Sequence, residues 1–207
     1  MFMKTAISTL RHSRTTFGEE RRYAGSIDVP LSELGKRDCV EAAKALRGMR
    51  FDAVITSPLR RAVETGGLID VDAPVYEECD LCRERSFGVL EGLTYDEGKA
   101  LEPPVLYVRV GGDEHSVNPR GGEPFEVVWD RAQRFRKHLF ETYEGSSMLV
   151  VSHYVFLQML HGVLRGLNCI ESLGSHVETL ELTHFHFSRG TLIGEHASRL
   201  SSRGISF

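Results

Sequence analysis

Long apolar runs are missing from this sequence. The longest, 148–151 and 155–160, fall far short of the roughly 20 residues that a membrane-spanning helix needs. Residues 1–4 do not form the apolar stretch of a secretory signal, so the expected location is the cytoplasm. A basic excess is also missing, since 25 Lys and Arg stand against 29 Asp and Glu for a formal net charge of −4. Proteins that coat nucleic acid or an anionic membrane usually carry a surplus of cations, so neither is expected as a partner and any basic site must be local. Cysteine is sparse. Of the four, Cys79 and Cys82 have C-x-x-C spacing, but zinc would want a second ligand pair, and Cys39 and Cys169 stand alone. Reduced, packing thiols and no metal are therefore expected. Repeats and low-complexity segments are absent too, which leaves one globular domain over 1–207, as a monomer or homodimer.

What is present alternates between strand and helix patterns. "KTAISTL", "FDAVITS" and "SMLVVSH" read as buried strands. Helices are expected after Ser32, a good N-cap, and after Pro58, which suits a helix start because its missing N–H costs nothing there. The amphipathic stretch 124–143 forms another helix, and "YVFLQMLHGVLRG" is apolar on every side and should be buried. This alternation predicts an α/β fold, a three-layer sandwich whose mostly parallel sheet carries helices on both faces. The tail reads as a hairpin turning at 188–190, which adds antiparallel strands, and its His184 and His186 share one face, expected to be solvent-facing or at an edge. Between 94 and 122 the pattern dissolves into Gly, Pro and mixed charge, as for an inserted loop or lid.

Three of the strands end in polar residues: Arg11 and His12, then Ser57 with Arg60 and Arg61 beyond it, then Ser152 and His153. Ligands of open α/β sheets bind along the carboxyl edge of the strands. Two imidazoles and several guanidiniums gathered there suit a phosphate dianion, because the guanidinium fork matches phosphate oxygens and helix N-termini add partial positive charge.

The same residues carry a resemblance. "LRHSRT" resembles the R-H-G-E-T signature of the histidine phosphatase superfamily, also called phosphoglycerate mutase-like. "RYAGSIDVPLSELG", "SPLRRAVET", "LCRERSFGVLEGL", "RGGEPFEVVWDR" and "VVSHYVFLQML" resemble its later segments, in the family's order. The resemblance implies a phosphoglycerate mutase-like fold and a phosphatase without metal or organic cofactor, acting on a small-molecule phosphate monoester. It implies that His12 takes the phosphoryl group, that Arg11, Arg61 and His153 bind its oxygens, and that Glu84 protonates the leaving oxygen. Glu91 and Glu78 compete with Glu84, and Arg60 competes with Arg61 but is expected on the solvated side of its helix. Neighbouring cations should keep the His12 imidazole neutral and therefore nucleophilic, and Glu84 should sit where burial or a nearby phosphate favours its protonated form.

Four departures bear on the substrate: Ser13 and Arg14 replace Gly and Glu of the signature, Gly18 stands at its downstream Asn position, and Tyr154 follows His153 where Gly is usual. Arg14, Thr15, Arg22 and Tyr154 are the candidates for contact with the substrate beyond the transferred group, together with the 94–122 segment that holds Tyr107 and Arg109. Two other readings follow from the same residues. A phosphoglycerate mutase would want a longer, arginine-rich insert, where 94–122 offers only Arg109 and Arg120. A phospho-ligand binding protein would keep the fold without turnover.

Overall fold

The computed structural model describes residues 4–200; the first three and last seven residues of the chain, including most of the segment read for a secretory signal, lie outside them. In chain order the elements are β1 (Lys4–Arg11), α1 (Thr16–Glu19), α2 (Glu33–Ala45), β2 (Ala53–Thr56), α3 (Arg60–Ile69), β3 (Tyr76–Glu78), α4 (Tyr95–Lys99), β4 (Leu106–Val110), β5 (Asp113–Val117), α5 (Phe125–Tyr143), β6 (Ser147–Ser152), α6 (Tyr154–Arg165), α7 (Cys169–Ser172), β7 (Glu181–Ser188) and β8 (Thr191–Arg199). Two short 3-10 turns, Asp80–Cys82 and Gly88–Leu90, lie between β3 and α4.

Six strands form one sheet in the order β3-β2-β6-β1-β7-β8. The first four are mutually parallel, and β7 and β8 are antiparallel additions. Residues 148–151 are fully buried, as expected for a parallel strand covered on both faces. One face packs Phe135, Leu139, Phe156 and Leu160 of α5 and α6, and the other packs Cys39, Ala42, Ala62 and Ile69 of α2 and α3. The sheet is thus the middle layer of three. No helix among the described residues is long and apolar enough to cross a membrane.

Pairing register positions the site. Arg11 lies opposite Ser152, and Thr56 opposite Val151, so β1, β6 and β2 end level at one edge of the sheet. The chain then enters helices: Ser32 caps α2 through Gly35 N–H, and His153 is the extended N-cap residue of α6.

Three regions differ from their sequence pattern. The 94–122 segment is ordered into α4, with a reciprocal Thr94/Glu97 capping box, and a separate β4–β5 hairpin. Strand β3 was not foreseen, being three residues of mostly exposed character. His184 and His186 share a face as the period of two requires, yet β7 is interior to the sheet. Their half-buried rings stack with His196 of β8, and His184 Nδ1 lies 2.7 Å from Ser8 Oγ. The β7–β8 turn falls at Arg189 and Gly190, both with positive φ (52° and 74°), the conformation that matches the twist of a two-residue hairpin. All four cysteines are free, with Cys39 and Cys82 buried and Cys79 and Cys169 half-buried.

Candidate active site

His12 follows the last residue of β1, and its N–H donates to Ser152 O at 2.9 Å, which joins the ends of β1 and β6. The next turn is clamped. Ser13 N–H donates to Thr65 Oγ1 and Ser13 Oγ donates to Gly35 O, while Gly35 passes so near Arg14 that a Cβ there would stand 2.0 Å from its carbonyl oxygen. The departure to Ser13 is therefore a structural one: its fully buried hydroxyl fastens the turn to α2.

The His12 Nδ1 lies 2.7 Å from Ser13 O. A carbonyl can only accept, so Nδ1 carries the proton and the neutral ring presents its lone pair at Nε2. Burial, then the Arg61 and Arg11 guanidiniums, push His12 well below the usual histidine range. The ring of His153 stands 5.1 Å away, centroid to centroid. Its Nδ1 accepts from Arg61 Nε at 3.1 Å, so in His153 the proton sits on Nε2. That Nε2 is buried and has no hydrogen-bond partner among the described residues, and the same holds for Arg11 Nε. Two buried donors left open beside an unprotonated imidazole nitrogen suit an anion's oxygens.

Arg61 is 1% exposed at the start of α3, with Nη1 on Ile27 O and Nη2 on Gly25 O. Burial lowers it to about 10, opposed by the Glu84, Asp28 and Glu91 carboxylates, and it remains a cation at neutral pH. Arg60 points outward to Glu64, its backbone N–H on Asp28, so the site's arginine is the second of the pair. Glu84 is buried against the N-terminus of α6. Its Oε1 accepts from Arg85 and Phe156 N–H, and its Oε2 from Val155 N–H alone. Of the competitors, Glu91 ties Ser26 to Phe87 through their backbone N–H groups, and Glu78 lies exposed on β3. Arg131, which drew no notice in the sequence, reaches from α5 to the carbonyls of Leu81 and Arg83 and fixes the turn leading to Glu84.

A cleft of about 670 Å³ opens over Arg11 and His12. Arg61, Glu84 and His153 are not among the residues that line it. A separate hollow of about 500 Å³, at the C-terminal ends of α2 and α3, contains none of these groups.

The family model for the histidine phosphatase superfamily (branch 1) matches residues 7–197. The chain belongs to this superfamily. It is 39% identical over 159 residues to a bifunctional protein of Mycobacterium tuberculosis, covering 75% of this chain and 43% of that one, so it spans less than half of that relative's length. It is 32% identical over 161 residues to a metal-independent phosphoserine phosphatase of Arabidopsis thaliana, covering 76% and 67% of the two chains. Among solved structures, Bacillus stearothermophilus YhfR superposes with a TM-score of 0.76 at 27% identity over 91% of this chain and 94% of that one. The alpha-ribazole phosphatase of Shigella flexneri shares the fold, with a TM-score of 0.78 at 22% identity over 98% of each chain.

In this member of the superfamily the cleft rim holds the departures from the family pattern. Arg14 lines the cleft, but its Nε and Nη2 both contact Asp38 Oδ2, at 2.6 and 2.5 Å. Thr15 also lines it while capping α1 through Gly18 N–H. Tyr154 lies under the Arg11 guanidinium, 4.6 Å from ring centroid to Cζ; burial and the nearby Asp113 carboxylate push its phenol up. Arg22 was expected on the substrate and is elsewhere: Glu20, Gly92 O and Glu97 hold its guanidinium. Arg21 takes that place on the rim, where its positive φ of 55° turns the chain. From the 94–122 segment the cleft receives Tyr95, Asp113 and Glu114, while Arg109 is exposed outside it.

Proposed function

We propose that this chain is a phosphatase that hydrolyses a small-molecule phosphate monoester through a phosphohistidine on His12. The observation that carries the reading is the unprotonated His12 Nε2 set near two buried donors, Arg11 Nε and His153 Nε2, that have no hydrogen-bond partner among the described residues.

In the first step His12 Nε2 forms a bond to phosphorus as the ester P–O bond breaks. Arg11, Arg61 and His153 receive the non-bridging oxygens, and fixed donors in a buried site stabilise the developing charge without reorganising. Glu84 gives a proton to the leaving oxygen. Its Oε2 serves better than Oε1, because Oε1 already accepts two N–H groups and Oε2 only one. In the second step water attacks phosphorus and passes a proton back to Oε2. The N–P bond then breaks with its electron pair returning to His12 and phosphate leaving.

The similarity to an enzyme named for phosphoserine supports a phosphorylated small acid among the substrates to try first. The cleft wall supports hydrolysis over mutase chemistry: the 94–122 segment contributes Asp113 and Glu114 there, not arginines. A mutase would need cations there to hold a polyanionic glycerate while it reorients.

The decisive experiment is a rapid quench of the wild-type chain with a labelled aryl phosphate. An acid-labile, base-stable phosphohistidine should appear and vanish at rates compatible with turnover, and His12→Ala should lose both the adduct and activity, by a factor on the order of 10⁴ or more. Phosphate binding with no trapped adduct would instead make the chain a binding protein.

A further inference from the structure

On the far side of the loop that carries Glu84, a second group of reactive side chains converges. Glu77 is the middle residue of β3, Cys79 follows that strand, and His138 lies on α5; one ligand atom from each stands within 4.8 Å of the other two. Among the described residues this is the one trio of His, Cys or carboxylate donors so close together.

Two of the three are already oriented. His138 Nε2 is 3.1 Å from Glu77 Oε1, and Tyr143 donates its hydroxyl to Glu77 Oε2 at 2.6 Å. His138 Nδ1 faces Thr142 Oγ1 at 3.5 Å, which leaves Nε2 as the inward nitrogen. Such outer partners fix the rotamers of metal-binding side chains. The trio is also sheltered, with His138 and Glu77 about one-third exposed. Sulfur, nitrogen and oxygen donors together select against magnesium and calcium, which take oxygen, and suit a tetrahedral zinc ion with one position left for water.

We propose that Glu77, Cys79 and His138 form a zinc-binding site separate from the phosphoryl site. Binding would exchange the thiol proton of Cys79 for a bond to the metal, releasing that proton to solvent. Cys82 is not a ligand: it is fully buried and its Sγ donates to Cys79 O at 3.2 Å. The position gives zinc a purpose. Cys79 opens the turn that ends at Glu84, and Arg131 already holds that turn from α5. His138 lies seven residues, or two turns, beyond Arg131 on the same helix, so a metal between Cys79 and His138 is a second clamp on the segment that delivers the proton donor.

The test is a titration of the purified full chain, stripped of metal, with zinc against a chromophoric indicator and with cobalt(II) in parallel. One ion per chain is expected, with a sulfur-to-cobalt charge-transfer band in the near ultraviolet. Cys79→Ser should abolish that band, and His138→Gln should weaken zinc binding on the order of 100-fold, whereas Cys82→Ser and His12→Ala should keep both. Zinc at a hundred times its dissociation constant should raise the melting temperature by roughly 5–10 °C in the wild type and not in His138→Gln. Failure to bind one zinc per chain, or binding that survives Cys79→Ser and His138→Gln together, overturns the site. Because the readouts are spectroscopic and thermal, and His12→Ala is a retained control, the result does not depend on the phosphatase reading.

Discussion

The floor and the rim of the cleft treat positive charge in opposite ways. On the floor, guanidiniums are held by backbone carbonyls: Arg11 by Val177, Arg61 by Ile27 and Gly25. A carbonyl fixes direction without cancelling charge. On the rim, charges pair with one another instead, Arg14 with Asp38, Arg199 with Glu178 and Lys99 with Glu114. The floor keeps its cations aimed at a dianion, whereas the rim mutes its charges by pairing and presents shape and hydrogen bonds to the leaving group. A shared floor with a variable rim is how one reaction can serve several substrates, and the contrast can be broken by exchanging the two kinds of partner.

The largest effects belong to the floor. Glu84→Gln keeps the shape of the side chain but cannot deliver a proton, so hydrolysis of an alkyl phosphate should fall by roughly 10²–10⁴. A nitrophenyl phosphate, whose leaving group needs no proton, should lose far less. Equal losses for both esters would remove Glu84 as the proton donor. Arg61→Met should lower kcat/KM for either ester by about 10²–10³, the usual cost of one fixed donor to a developing oxyanion. If Arg60→Met did as much damage, the assignment between the two neighbours would be reversed.

Keeping imidazoles neutral on the floor has a consequence in acid, and His161 isolates it. This histidine is buried in α6 with Nε2 2.7 Å from Thr9 Oγ1, and burial, aided by Arg165, lowers it to about 3. The unfolded chain takes up a proton near pH 6.5 that the folded chain refuses. Stability is therefore full above that pH and is lost as pH falls toward 3, at up to about 1.4 kcal/mol per pH unit for one proton. His12 and His153, pushed in the same direction by burial and the arginines, add to the slope. Denaturant midpoints between pH 4 and 6 should show His161→Gln, which can still reach Thr9, with a slope shallower by about one proton. An unchanged slope would mean that His161 is protonated in the folded state.

The floor was legible in the sequence and the rim was not, for a physical reason. Arg11, His12 and His153 stand at the ends of apolar strands, so strand pattern alone brings them to one sheet edge; the family resemblance added Glu84 and chose Arg61 over Arg60. Rim positions depend on contacts between distant segments. Nothing near Arg14 announces that Asp38, 24 residues on, will neutralise it. Arg21 rather than Arg22 reaches the cleft, at a positive φ that no periodicity reveals. The 94–122 segment looked irregular because β4 and β5 are short and pair only with each other. The same blindness applied to Cys79. The neighbours that the proposed zinc site gives it are Glu77 of the edge strand β3 and His138, 59 residues on in α5.

The smallest predicted effect is the one that sharpens the comparison most. Asp38→Asn leaves Arg14 in place but removes the carboxylate that both of its contacting nitrogens share. If rim charge is muted by pairing, the released guanidinium should attract a second acidic group on the substrate, lowering KM for a phosphorylated acid about threefold to tenfold at low salt. An aryl phosphate with an uncharged leaving group has no second acid to offer it and should change by less than about twofold, because removing one partly exposed ion pair changes little else. Arg14→Ala should lack the gain, and salt should erase it in Asp38→Asn. Were Asp38→Asn to improve both esters alike, the added cation would be acting on the phosphoryl group itself, and the boundary between floor and rim would have to be drawn one residue further out.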